Sequence, residues 1–206
     1  MMIVNEKGTG KALNEAYKKG YEIVPMEGGR IAIYTENWAM DVSTLNLPLG
    51  VSQTLVEHYG SIPAMPMFVQ KGRTAQMMMR SEAMDRGLEL KDEACGERYM
   101  RRIPITFKKN WEMFVAEIDD TLRAMAFNAK YLDIVDWDKS CPGMIVSETG
   151  NGVFASGKEL LVISPGSFGP EDRARMAKIA ELYREQKTTP EEEPENICLF
   201  EDMERE

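Results

Sequence analysis

Four times along the chain, two short β-rich runs flank a turn made of Gly, Lys or Asn, and this repetition restricts the fold more than any other feature. Residues 21–24 and 30–34 surround Glu27-Gly28-Gly29, and 65–69 and 74–79 surround Lys71-Gly72. Further on, 102–107 and 111–118 surround Lys108-Lys109-Asn110, and 144–148 and 153–156 surround Gly150-Asn151-Gly152. Runs rich in β-branched and aromatic residues joined by such turns are hairpins. Residues 38–42 and 159–164 read as two more strands. Hairpins pair antiparallel by construction. The pattern therefore predicts an α+β fold, a mostly antiparallel hairpin-built sheet packed with about four to five helices, rather than a wound parallel sheet. No period of roughly 20–50 residues recurs, so repeat architectures are not expected.

The helices are read from apolar spacing and end signals. Thr9 is placed as the cap of a helix to Lys19, with Ala12, Leu13, Ala16 and Tyr17 as its stripe and Gly20 as its stop. A second helix covers 50–59 and stops at Gly60, and Ser81 caps a short segment over 81–86. Asp119 or Asp120 starts a third over 119–129, its inner side lined by Leu122, Met125, Ala126 and Ala129. The last begins at Pro170, with Glu171 and Asp172 in its first turn and Met176, Ile179, Ala180 and Tyr183 facing inward to about Gln186. Residues 1–186 are expected to form one domain, and 187–206 a disordered acidic tail carrying an apolar docking segment.

Charge separates these two parts. From Glu185 to Glu206 there are nine acidic and two basic residues, so −7 of the net −9 lies there and the body carries only −2. A near-neutral body argues against direct nucleic-acid binding, which depends on basic surface to release counterions. One local basic group, Arg101, Arg102, Lys108 and Lys109, is read as solvated surface. No apolar run approaches the roughly 18 residues needed to cross a bilayer, and Met1 to Lys7 holds no export segment. The three cysteines, Cys95, Cys141 and Cys198, are unpaired in pattern and fit a reducing compartment, so a cytoplasmic protein is expected.

Catalytic signatures are sparse. His58 is the only histidine, which excludes mechanisms needing two imidazoles, and it is placed as a half-exposed helix-end residue. Gly8-Thr9-Gly10-Lys11 lacks the preceding strand and the Ser or Thr of a phosphate loop. Pro165 to Gly169 is a glycine-rich loop, but the carboxylates of Glu171 and Asp172 already occupy the positive helix end that an anion would need. The one carboxylate group is Asp133, Asp136 and Asp138 around Trp137, which could hold Mg²⁺ through oxygen ligands or pair with Lys130 and Lys139. The sixteen methionines concentrate around 65–84. They read as irregular core filling, with Met77 and Met79 as candidates for an adaptable partner face.

The tail supplies the sharpest motif. Within the acidic, proline-broken 187–206 stands Asn196-Ile197-Cys198-Leu199-Phe200, and leaving its three large apolar side chains wet forfeits roughly 1.5–3 kcal/mol each. The pentapeptide resembles the peptide by which bacterial polymerases and mismatch-repair proteins bind the replicative sliding clamp. On that resemblance Leu199 and Phe200 fill the clamp's apolar pocket, Ile197 takes the neighbouring subsite, and Asn196 takes the hydrogen-bonding place of Gln. Docking of the same segment onto its own domain is the alternative. The expectation is a non-catalytic accessory or inhibitor protein, acting through protein-protein contacts and presenting carboxylates to a partner such as a nucleic-acid-binding protein. A Mg-dependent enzyme built on the three aspartates, and a replication or repair factor recruited to the clamp, are the alternatives.

Overall fold

The computed structural model describes residues 3–79, 90, 92–93, 98–118, 121–138 and 142–186. Helix α1 (Glu6–Lys19) leads into a meander of β1 (Tyr21–Met26), β2 (Arg30–Tyr34) and β3 (Trp38–Ser43). A 3-10 turn, Thr44–Asn46, precedes α2 (Leu49–Tyr59), followed by β4 (Met67–Val69) and β5 (Gln76–Met77). Strands β6 (Met100–Phe107), β7 (Trp111–Ile118) and β8 (Thr121–Asn128) come next, then the single turn α3 (Ala129–Leu132). Strands β9 (Gly143–Val146), β10 (Gly152–Ser156) and β11 (Glu159–Ile163) lead to α4 (Pro170–Gln186).

The strands form an eight-stranded sheet, ordered β5-β4-β1-β2-β3-β11-β10-β9, and a three-stranded sheet, β6-β7-β8. Every described pairing is antiparallel, so the fold is α+β, as the hairpin signals predict. Both faces of the large sheet are buried, and this explains its near-continuous apolar runs. Ile23, Ile31, Ile33, Met40, Phe154, Leu161 and Ile163 share one cluster with Leu13 of α1, Leu55 of α2, and Phe114 and Phe127 of the small sheet. Val24, Ala32, Tyr34, Val153, Leu160 and Val162 form the opposite face, against which Leu90 packs. At the junction of the sheets the Phe114, Phe127 and Phe154 rings meet edge to face at 5.2–6.2 Å, with Trp137 at 6.0 Å from Phe154. The outer face of the small sheet packs on Met176 and Ala180 of α4.

The structure corrects three sequence expectations. Residues 121–128 form a strand, not a helix: all eight residues of β8 pair with β7, from Trp111↔Asn128 to Ile118↔Thr121. Leu122, Ala124 and Ala126 pack with α4 while Met125 and Phe127 enter the inter-sheet core, so burial on both sides hides the period of two. Helix α1 starts at Glu6, capped by Asn5, whose side chain accepts the Gly8 N–H at 2.9 Å; Thr9 is buried inside it. Gly8 is small by necessity, because a Cβ there would lie 1.7 Å from the Asp133 carbonyl oxygen. His58, finally, is only 9% exposed rather than half-exposed.

Candidate functional site

Adjacent residues in antiparallel pairing share one face of a sheet. The registers Phe68↔Glu22, Glu22↔Tyr34, Tyr34↔Ala39 and Ala39↔Val162 therefore set one row of side chains across β4, β1, β2, β3 and β11. Four inter-strand gaps of about 4.8 Å make this row roughly 19 Å long. It floors a cleft of about 580 Å³ at one end of the sheet, further lined by Thr35, Glu36, Leu90, Glu93, Thr149, Asn151 and Ser164. This volume lies within the usual range for ligand sites.

The cleft floor is apolar except for Glu22, and Glu36 and Glu93 make its walls acidic. Glu22, Glu36 and Glu93 line it, and among the described residues no lysine or arginine does. Lys19 approaches only from outside, pairing at 2.5 Å with the exposed Glu36, whose carboxyl this pairing holds below the usual carboxylate range. Glu93 accepts a hydrogen bond from the Thr149 hydroxyl, which also meets Ser147 Oγ at 2.9 Å and receives Asn151 Nδ2 at 3.1 Å. The second carboxylate oxygen of Glu93 is buried and has no hydrogen-bond partner among the described residues. Gly20 makes room at the cleft's edge: a Cβ there would lie 2.3 Å from the Phe68 ring, and its φ of 103° suits glycine.

Behind the cleft, His58 is tied to both helices and the sheet. Its Nε2 lies 3.2 Å from the Asn14 Oδ1 acceptor, so Nε2 carries the proton, and Nδ1 accepts from the Tyr21 hydroxyl at 2.9 Å. Tyr17 stacks on the ring at 3.9 Å. Burial pulls the His58 pKa below its ordinary value, with Glu57 pulling the other way, and burial raises the hydroxyls of Tyr21 and Tyr59. With both nitrogens occupied, this imidazole serves as a structural tie rather than an open base.

The remaining candidates fall elsewhere. Asp133 caps α3, Asp136 is buried, and among the described residues no three His, Cys, Asp or Glu side chains converge as a metal site. The helix expected to end before these aspartates is β8, so only the single turn α3 precedes them, and Lys130 pairs with Glu15 rather than with an aspartate. In the basic group Lys108 pairs with Asp172, and Arg102 pairs with Glu112 and lies 5.1 Å from the Trp137 ring centroid. Phe168 of the glycine-rich loop packs edge to face on Phe107 and Trp111. Met77 and Met79 are 69% and 64% exposed beside the cleft-bearing sheet's short edge strand β5. The segment 81–86, Lys139, the three cysteines, and Asn196, Ile197, Leu199 and Phe200 lie outside the described residues.

Sequence reasoning missed the cleft. The available signal was Glu22, a carboxylate set among the apolar residues of a strand, but only the register shows which side chains join it. Comparison of the chain with family models, curated proteins and solved structures returned no match. No described helix is long and apolar enough to cross a membrane.

Proposed function

We propose that this protein is a non-catalytic accessory or inhibitor that holds a partner protein in the cleft of its large sheet. The observation that carries this reading is the cleft itself, an elongated and largely apolar floor spanning five strands, with Glu22 set in it and Glu36 and Glu93 on its walls. An apolar centre with a polar rim is the usual anatomy of a protein-protein contact. The tail segment Asn196 to Phe200 would act as a second, tethered anchor, which raises effective concentration without enlarging the cleft contact.

A photo-crosslinking amino acid at the exposed Glu36 tests this reading, with the same probe at exposed Gln53 on α2 as control. Protein adducts are expected at 36, not at 53. They should disappear when Ala39→Trp fills the floor, and one purified adduct partner should reconstitute a stoichiometric complex. Adducts that ignore the Ala39→Trp plug would remove the reading. Deleting 188–206 should weaken that complex without abolishing it.

A further inference from the structure

On the reverse of the cleft floor, the hairpin of β4 and β5 gathers methionines. Side chains alternate between the faces of a strand, so Phe68 lines the cleft while Met67 packs against the cluster that holds Leu13 and Leu55. Met67 stands directly opposite Met77. The Met78 N–H donates to the Pro66 carbonyl at 3.0 Å, which carries the same register further and sets Met79 opposite Met65. Pairs flanking a hydrogen-bonded pair are the closer ones, with Cα atoms about 4.5 Å apart, and two residues along a strand add roughly 7 Å. Four methionines thus stand as two facing pairs on one face of the hairpin. Core filling explains Met67 but not the others: Met65 is 48% exposed, and Met77 and Met79 are more so.

We propose that Met65, Met67, Met77 and Met79 together bind one soft monovalent metal ion, Cu(I). Soft sulfur donors select Cu(I), whereas Mg²⁺ and Ca²⁺ take oxygen ligands. Each sulfur sits on an unbranched stem with three rotatable bonds, so facing side chains can converge on one ion while the strands stay where they are. A thioether has no proton to lose, so capture needs none of the deprotonation that cysteine or histidine ligands require. The ion enters and leaves as Cu(I), with no redox step. This site is separate from the cleft and does not depend on what the cleft holds.

The assignment is tested by anaerobic titration of the full-length protein, its methionine methyls labelled with carbon-13, with Cu(I) supplied as the acetonitrile complex. At about pH 5 the cysteine thiols are protonated and compete least. The methyl resonances of Met65, Met67, Met77 and Met79, assigned by a Met→Leu substitution at each, should move together and saturate at one ion per chain. Those of the fully buried Met40 and Met113 should stay still. Zn²⁺ should move none of the four. Met65→Leu with Met77→Leu nearly conserves side-chain volume, so melting should show a folded variant, and Cu(I) affinity should fall at least about tenfold. Four resonances that do not respond, or that respond at separate metal concentrations, would overturn the proposal. So would equal affinity in the double variant, which would put the ion on other ligands.

Discussion

Single atoms decide several features of this fold. Gly8→Ala would drive a methyl group into the Asp133 carbonyl, and neither the helix nor the segment it touches can yield freely. A loss of about 3 kcal/mol or more is expected in chemical denaturation. Lys108 and Lys109 hold φ of 46° and 64°, a left-handed region that costs a side chain roughly 1 kcal/mol. Lys108 offsets this by pairing with Asp172 and lying near the Phe107 and Phe168 rings, so only Lys109→Gly should raise stability, by about 0.5–1 kcal/mol in thermal melts. For His58 the sign follows from its depressed pKa. The unfolded chain takes up the proton near pH 6.5 and the native protein only below that, so stability is full above this value and declines as pH falls through it. His58→Gln should flatten that part of the pH-stability curve, measured by urea midpoints. A slope of unchanged size would place the proton elsewhere. Of these residue-level features, the sequence carried the left-handed turn only as a hairpin signal, and Gly8 gave no sign that a carbonyl lay against it.

At the level of elements, the ends of α2 show how one piece of chain completes another. Pro48 offers no side-chain cap, and the Glu6 carboxylate of α1 accepts the Gly50 N–H at 2.6 Å instead. Glu6→Ala should therefore destabilise the protein by about 1 kcal/mol, and amide exchange should show α2's first turn fraying before the rest. Hairpins were legible because turn and strand signals are both local: β1 with β2, β6 with β7, and β9 with β10 lie where Gly28-Gly29, Lys108-Lys109 and Gly150 put them. Strand β8 was not, for a reason of packing. Alanines at 124 and 126 are favourable in helices, and the ladder to β7, with α4 packed on one side and Phe114 and Phe154 on the other, makes 121–128 extended. Helix α4, which carries its own start signal at Pro170, was read correctly from end to end.

For the molecule as a whole, the aromatic contact between the sheets is what should make them unfold together. Phe154→Ala, at the centre of that contact, is expected to cost about 3–5 kcal/mol. Tryptophan fluorescence, from Trp38, Trp111 and Trp137, and far-ultraviolet dichroism should still report one transition in the parent protein, and a split transition there would mean that the sheets melt separately. The cleft belongs to this scale, which is why it escaped the sequence. Three of its five floor residues come from the β1–β3 meander, but Phe68 and Val162 come from β4 and from the distant β11, and the full row exists only once β11 has docked on β3. The same long-range assembly gives Gly20 a role as a seam. It ends α1, opens β1 and lies under the Phe68 ring, while the Lys71 amide close by donates to the Tyr17 carbonyl at 2.8 Å. A guest resting on Phe68 would thus stiffen a backbone junction it never touches, and slower deuterium uptake at Gly20 and Lys71 would announce occupancy without any label on guest or host.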